Sequence, residues 1–380
     1  MKMKAFGYVT AFLVLVLLCI PARALAPRYN VIDLGTLGGN YSRAYAVNGS
    51  GWVVGESKNA SGVYRAFLWR PGIGMTDLGT LGGSSGGAYG VNDSGQVVGY
   101  SGDRALLWET GGTMRDLGTL GGPTAVAYAI NSSTQVVGRA DVQKWAWHAF
   151  LWSSSAGMRD LEPPPGGYGT AYAISDSGLV AGQSDFSGTF EAGHAFLWED
   201  STGMTDLGTF GGTESVARGV KDSGQVVGWA RQFAPYPSLG WIRPFLWTRA
   251  TGLVDLGDFG GRQGIAHAIN SIGQVVGGTE DNQALRAFLW ESATGLINLN
   301  TFIDPASAWN LSVARGINEN GWIVGYGVAP NGEERAFLLT AVPEPRGLLV
   351  MCIGLAIVLH LYKARWTLYE GQGVRESRPS

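Results

Sequence analysis

A basic residue recurs in front of a short apolar motif. The motif is Ala-Phe-Leu-Trp or a close variant, and the residue before it is basic seven times: Arg65, Arg104, His148, His194, Arg243, Arg286 and Arg335. An acidic residue recurs just as regularly, mostly in Asp-Leu-Gly-Thr, with Asn298 in the seventh place: Asp33, Asp77, Asp116, Asp160, Asp206 and Asp255. The two series predict one Arg or His paired with one Asp in each repeat.

A catalytic role for His148 and His194 is disfavoured by this pattern. Arginine occupies the same position in the other five repeats, and it cannot act as a general base near neutral pH. We therefore interpret the position as structural. A second interpretation stays open, in which the seven cations form a basic ring that binds an anionic polymer.

A third series places one large polar residue between small ones. It comprises Tyr45, Tyr89, Tyr128, Tyr172, Arg218, His267 and Arg315, each flanked by Ala or Gly. Small flanking residues indicate that neighbouring backbones approach closely. The large side chains are expected either to pack between repeats or to line a central channel.

No motif for metal, cofactor or covalent chemistry accompanies these series. Turns such as Asn-Asp-Ser-Gly at 92–95 carry too few carboxylates for a calcium loop. The Gly-Gly pairs do not match a phosphate-binding loop, because no helix pattern follows them. The two cysteines, Cys19 and Cys352, lie in apolar segments near the termini. The sequence predicts no cofactor, no metal site and a role other than catalysis.

The elements that position these residues are short β-strands. Each repeat holds four segments rich in β-branched and aromatic residues and bounded by Gly, Asn, Asp or Ser. We name them strand A (Ala-Tyr-Ala-Ile-Asn), strand B (Val-Val-Gly), strand C (Ala-Phe-Leu-Trp) and strand D (Asp-Leu-Gly). The repeat length of 39 to 49 residues matches a propeller blade. We predict an all-β, seven-bladed β-propeller with four-stranded blades.

The order of the strands predicts how the ring closes. The chain enters the pattern in a strand D at 30–35 and leaves it after a strand C at 335–340. The N-terminal strand is therefore expected to complete the seventh blade, which would cover an otherwise bare sheet edge.

The loops between strands B and C vary in length and collect aromatic residues. Loops on a rigid scaffold commonly carry binding residues, and aromatic rings are common interface anchors. The candidate ligand-binding residues are Trp145, Trp147, Phe233, Tyr236 and Trp241, with Phe186 and Phe190 in a neighbouring loop. In the alternative interpretation, these rings fold back over the blade edges.

The two ends of the chain predict the cellular location of the protein. Residues 1–24 show the order of charged, apolar and small residues of a secretory signal peptide, with cleavage after Ala24. Near the other end, Pro343, Glu344 and Pro345 precede 16 apolar residues at 347–362 and the cations Lys363 and Arg365. We predict a short transmembrane helix within 342–366, a cytoplasmic C-terminus and a polar tail at 367–380.

Two of these patterns resemble known families. The Pro-Glu-Pro motif, apolar helix and basic cluster resemble the PEP-CTERM sorting signal of Gram-negative bacteria, which implies recognition by an exosortase and passage to the cell surface or exopolysaccharide. The 14-residue tail is unusual for such signals, and a plain membrane anchor is the alternative. His-Ala-Phe-Leu-Trp at 148–152 and 194–198 resembles the HAF repeat of extracellular bacterial proteins, which would cover 25–341.

The charge balance restricts the partners. Residues 25–345 contain 19 Lys and Arg against 28 Asp and Glu, which disfavours nucleic-acid binding. We expect an exported propeller that is anchored in the inner membrane before processing and then binds a polysaccharide or a surface protein. A propeller-type glycan hydrolase or lyase and a purely structural matrix component are the alternatives.

Overall fold

The computed structural model describes residues 29–342, apart from 144–145, 162–166, 189–191, 234–239 and 282–283. This part of the chain forms seven four-stranded antiparallel sheets, which confirms the predicted seven-bladed β-propeller. The predicted signal peptide at 1–24 and the sorting motif, apolar segment and tail from 343 to 380 lie outside these residues. Within 29–342, none of the described segments is a helix long and apolar enough to cross a membrane.

The blades follow one another along the chain, each with strands A to D in order from the channel outward. Blade 1 comprises β2 (Gly38–Val47), β3 (Val53–Asn59), β4 (Tyr64–Arg70) and β5 (Gly74–Asp77). Blade 2 comprises β6 (Gly86–Val91), β7 (Val97–Ser101), β8 (Arg104–Trp108) and β9 (Met114–Asp116). Blade 3 comprises β10 (Ala125–Ile130), β11 (Val136–Gln143), β12 (Ala146–Ser153) and β13 (Gly157–Asp160).

The remaining blades repeat this order. Blade 4 comprises β14 (Gly169–Ile174), β15 (Val180–Ser184), β16 (His194–Glu199) and β17 (Gly203–Asp206). Blade 5 comprises β18 (Gly211–Val220), β19 (Val226–Gln232), β20 (Ile242–Thr248) and β21 (Gly252–Asp255). Blade 6 comprises β22 (Gly264–Ile269), β23 (Val275–Glu280), β24 (Leu285–Glu291) and β25 (Gly295–Asn298), followed by two 3-10 turns, Leu299–Thr301 and Pro305–Ser307.

Blade 7 joins the two ends of the propeller. It comprises β26 (Asn310–Ile317), β27 (Ile323–Val328), β28 (Glu334–Ala341) and, as its outer strand, β1 (Tyr29–Asp33). β1 pairs antiparallel with β28, with Val31 opposite Leu339. The predicted closure by the N-terminal strand is therefore confirmed.

A buried aromatic ring over a glycine forms the centre of most blades. In blade 3, Phe150 of strand C is fully buried and lies opposite Gly138 of strand B. A Cβ at Gly138 would lie 2.0 Å from the Val126 carbonyl oxygen and 2.8 Å from the Phe150 ring. The Val-Val-Gly motif therefore ends in glycine because no side chain fits beneath the ring.

Each strand A carries a β-bulge. In blade 1, Ala44 pairs with Gly55 and Ala46 with Val54, so Tyr45 is an extra residue without a register partner. The same interruption falls on the equivalent residue of every other blade: Tyr89, Tyr128, Tyr172, Arg218, His267 and Arg315. Bulges redirect a side chain. All seven bulged residues line the channel, as the channel interpretation expected.

Asparagine side chains at the ends of the A strands link neighbouring blades. The Nδ2 group of each donates to a backbone carbonyl of the next blade at 2.9–3.2 Å, and these residues are Asn48, Asn92, Asn131, Asn270 and Asn318. In blade 5, Lys221 Nζ donates to the Ser271 carbonyl at 3.1 Å instead. We call this series the asparagine belt.

The repeated basic and acidic residues meet in the outer strands of four blades at 2.6–2.9 Å, in the pairs Arg65–Asp77, Arg104–Asp116, His148–Asp160 and His194–Asp206. In blade 5, Arg243 lies 3.8 Å from Asp255 and also forms an ion pair with Asp258.

The expected pair is absent from the last two blades. Arg286 pairs with Asp281 at 2.7 Å, because the outer strand of blade 6 carries Asn298. Arg335 pairs with Glu333 at 3.0 Å, while Asp33 accepts from the Gly35 N–H at 2.8 Å. All seven basic residues have a carboxylate partner, so they do not form a ring of unpaired side chains.

Candidate functional site

The antiparallel blades give the propeller two distinct faces. The turns between strands A and B and between strands C and D lie on one face, which we call the A–B face. The loops between strands B and C and the connections from one blade to the next lie on the other, the B–C face. A candidate site lies in the channel between the faces, and a second lies on the B–C face.

Four tyrosines form one arc of the channel wall. Neighbouring ring centroids lie 5.2 Å apart for Tyr45 and Tyr89, 5.4 Å for Tyr89 and Tyr128, and 5.1 Å for Tyr128 and Tyr172. Burial raises the pKa of Tyr45, Tyr89 and Tyr128, so these hydroxyls stay protonated at neutral pH. We call this wall the tyrosine arc.

The other arc of the channel wall is basic. The Arg218 guanidinium lies 4.0 Å from the Tyr172 ring centroid, and that of Arg315 lies 5.2 Å from the Tyr45 ring centroid. Arg315 Nη1 lies 3.2 Å from the ring nitrogens of His267. Burial, with the nearby Arg315 and Arg218 charges, holds the pKa of His267 well below its usual value, so His267 is neutral. We call these three residues the basic arc.

In blades 1 and 2, the residue after the Val-Val-Gly motif contacts a ring of the tyrosine arc. Glu56 Oε1 accepts hydrogen bonds from the hydroxyls of Tyr45 at 2.8 Å and Tyr41 at 3.1 Å, and the Tyr100 ring stacks on Tyr89 at 5.8 Å. This position is not among the predicted site residues. The sequence feature that distinguishes it is the variation of residue type within an otherwise regular repeat: Glu56, Tyr100, Arg139, Gln183, Trp229, Gly278 and Tyr326.

The predicted aromatic loop residues differ in exposure. Phe233 and Trp241 are 74% and 44% exposed, and they flank the same loop of blade 5. Trp147 lies within β12 rather than in the predicted loop, and it is half-buried, with its ring 5.4 Å from Tyr168 and 5.6 Å from the Arg139 guanidinium. Trp145, Tyr236 and Phe190 lie outside the described residues. Among the predicted rings that the structure describes, those of blade 5 are therefore the most exposed.

Further tyrosines lie on the B–C face of blade 1. The rings of Tyr41 and Tyr64 meet edge to face at 5.3 Å, and Lys58 Nζ lies 5.1 Å from the Tyr64 ring. Both tyrosines lie within strands rather than in the loop between strands B and C, so they are not among the predicted loop aromatics.

The mouth of the channel on the A–B face is lined by carboxylates. This cavity of about 770 Å³ is bordered by Asp93, Asp176, Asp222 and Glu319. Each carboxylate accepts a backbone N–H of a neighbouring blade at 2.7–3.1 Å, and the Ser177 N–H lowers the pKa of Asp222. These carboxylates therefore link blades. In the part of the chain that the structure describes, no group of three His, Cys, Asp or Glu residues could hold a metal ion.

Comparisons with known proteins place the chain by fold. No protein-family model matches the sequence, and no curated protein sequence matches it significantly. The crystal structure of a puromycin hydrolase S511A mutant complexed with PGG is similar, with a TM-score of 0.53 and 12% identity over 81% of this chain. The chain covers 53% of that protein, about half its length. At this identity the similarity shows a shared fold and carries no information on activity.

Two other solved structures resemble the chain less. The WD40 β-propeller domain of Doa1 has a TM-score of 0.49 at 15% identity, with 81% of this chain and 97% of that one covered. TolB from Acinetobacter baumannii has a TM-score of 0.40 at 12% identity, with 80% and 65% covered. The seven four-stranded blades themselves define the class of protein as a seven-bladed β-propeller.

Proposed function

We propose that this protein is an exported propeller that acts at the cell surface or in the extracellular matrix as a binding module for a glycan or a protein. Its contact surface is the B–C face, centred on blade 5. The observation that carries this proposal is the exposure of Phe233 and Trp241 at the two ends of one loop. Large apolar side chains grouped at an exposed site are typical of an interaction surface.

The residues around Trp241 support a role for its ring in ligand binding. The Arg243 guanidinium lies 5.1 Å from the Trp241 ring centroid, while its own charge is matched by Asp258. The guanidinium thus supports one side of the indole. The exposed part of the ring can stack on the apolar face of a sugar or fill a pocket of a protein partner.

The test compares two double variants of the secreted protein on a glycan array and in pull-downs from the extracellular matrix. Phe233→Ala/Trp241→Ala should lose at least about tenfold in affinity. The control is Ile73→Ala/Ile272→Ala, which removes two residues that are 63% and 72% exposed on the A–B face. The control should bind like wild type. Retained affinity in a folded Phe233→Ala/Trp241→Ala variant would rule out the blade 5 loop.

The second part of the proposal concerns the cellular location of the protein. The signal peptide directs export, and Pro343, Glu344 and Pro345 mark the chain for an exosortase in the inner membrane. Glu344→Ala should then abolish C-terminal processing in a host that has an exosortase. An unchanged mass and location in variant and wild type would leave the plain membrane anchor as the explanation.

A further inference from the structure

The two arginines of the basic arc carry charge that no described carboxylate matches in an ion pair. Among the residues that the structure describes, neither Arg218 nor Arg315 has a carboxylate within ion-pair distance. The seven strand-C cations, in contrast, all have such a partner. The nearby Glu56 oxygen accepts from Tyr45 and Tyr41. The channel therefore combines two cations with hydroxyl and imidazole groups.

Arg218 is the more unusual of the two arginines. Its Nε is buried and has no hydrogen-bond partner in the described part of the chain, and the side chain lines the channel cavity. Leaving a buried N–H of a cation unpaired costs stability. Tyrosine fills the same bulge position in four blades without this cost, so packing alone does not require arginine here.

The space beside the basic arc has the dimensions of a small ligand site. The cavity has a volume of about 280 Å³, near the lower end of known small-molecule pockets. Seven aliphatic side chains separate it from the carboxylate-lined mouth: Val47, Val91, Ile130, Ile174, Val220, Ile269 and Ile317. The cavity is thus bordered by an apolar collar, a basic arc and an aromatic arc.

We propose that the channel binds a small organic carboxylate, with the carboxylate group between Arg218 and Arg315 and its carbon body against the tyrosine arc. A planar guanidinium matches the geometry of a carboxylate, and His267 adds one ring N–H. The aromatic wall favours an organic anion over a bare inorganic one, because only an organic anion has a body to pack against the rings. This site is separate from the blade 5 loop.

The test measures the melting temperature and the heat of binding of the secreted protein with sodium acetate, benzoate, glucuronate or galacturonate. Sodium phosphate probes inorganic anions, and glucose probes a neutral sugar. At least one carboxylate should bind with one-to-one stoichiometry and more tightly than phosphate. No binding by any of the four carboxylates, or equal affinity for phosphate, would overturn the proposal.

Two variants keep the test independent of folding. Arg218→Tyr and Arg315→Tyr each introduce the residue that four other blades use at this position, and each should weaken carboxylate binding at least about tenfold. Arg159→Gln is the charge-matched control, since its side chain is 56% exposed in an outer strand, and its affinity should equal that of wild type. Unchanged affinity in both channel variants would overturn the proposal.

A further measurement needs no added ligand. In chloride buffer, Arg218→Tyr should melt at or above the wild-type temperature, because it removes a buried cation that has no carboxylate partner among the described residues. A lower melting temperature together with unchanged carboxylate affinity would assign Arg218 to packing and overturn the proposal. The failure of this site would leave the Phe233 and Trp241 experiment unaffected, because the two sets of variants share no residue.

Discussion

Asn318 donates a hydrogen bond from its side-chain amide to the backbone carbonyl oxygen of Asn48 at 2.9 Å, across the seam between the last blade and the first. The two residues are 270 positions apart in the chain. Asn318 Oδ1 also accepts from the Asn320 and Trp322 N–H groups of its own turn. One side chain therefore shapes a turn and closes the ring.

Replacing Asn318 by Asp should separate these two roles. The carboxylate can still accept the turn N–H groups but cannot donate to Asn48, and we expect a loss of about 1–3 kcal/mol in the free energy of unfolding. Asn59→Asp is the matched control, because Asn59 Oδ1 accepts from Ser61 and Val63 within a single turn. Urea unfolding of both variants measures the difference. Equal losses would show that the donation across the seam adds nothing.

Removing β1 should destabilise the propeller more than removing the C-terminal residues 343–380. β1 supplies the outer strand of blade 7, and Tyr29 at its start and Leu34 directly after it, which would be removed with it, are only 8% and 3% exposed. Loss of their burial and of the strand pairing should lower the melting temperature by about 5–10 °C. Differential scanning calorimetry of the two truncated proteins gives the comparison. Equal melting temperatures would contradict closure by the N-terminal strand.

Gly138→Ala tests the close contact between strands B and C. The added Cβ would meet the Val126 carbonyl and the Phe150 ring, so we expect a loss of about 3 kcal/mol. Gly157→Ala in the same blade is the control. Gly157 lies in open space with φ +72°, so its replacement should cost about 1 kcal/mol for backbone strain alone. Equal losses in chemical denaturation would mean that both the Val126 carbonyl and the Phe150 ring move aside.

The surface position of the repeated ion pairs lowers the expected effect of breaking one. The Arg104 side chain is 54% exposed, so Arg104→Met should cost less than about 1 kcal/mol. The Arg243 side chain is 15% exposed and its partner Asp258 13%, so Arg243→Met should cost about 3 kcal/mol, because it leaves a buried carboxylate unpaired. Parallel urea unfolding curves test this order. Equal small losses would show that burial does not set the strength of these pairs.

His194 should make the stability depend on pH. Its hydrogen bond to Asp206 raises the pKa of His194 above the usual 6.5, while the bonds from His194 and the Gly208 N–H lower the pKa of Asp206 despite burial. The pair therefore stabilises the fold fully below pH 6.5 and loses this contribution as the pH rises through the raised pKa of His194. On the acid side, the contribution of Asp206 is lost as the pH falls through its lowered pKa.

His194→Arg is the matching variant, because arginine occupies this position in other blades and keeps its charge. The stability of the variant relative to wild type should increase by about 0.5 kcal/mol between about pH 6 and pH 8, a small effect because both side chains are about one-third exposed. Urea unfolding at both pH values measures this change. A constant difference would show that His194 does not titrate with folding.

Local patterns in the sequence were sufficient to predict the blades. The Val-Val-Gly and Ala-Phe-Leu-Trp segments are short, β-branched or aromatic, and bounded by turn residues, so each strand is recognisable without knowledge of its partner. Seven copies at a blade-like spacing fixed the number of blades. The presence of a strand D at 30–35 before any strand A indicated the closure, because a single outer strand can pair only with the last blade.

The tertiary structure alone decided where the polar side chains point and what they meet. Ala-Tyr-Ala-Val at 44–47 has the pattern of a regular strand, and the bulge at Tyr45 exists only in the register with β3. Asp281, which lies in a loop, forms the ion pair with Arg286. The carbonyl that accepts the hydrogen bond from Asn318 lies 270 residues away in the chain. A strand depends on its neighbours in sequence, whereas a bulge, an ion pair or a channel depends on distances that exist only after the ring has closed.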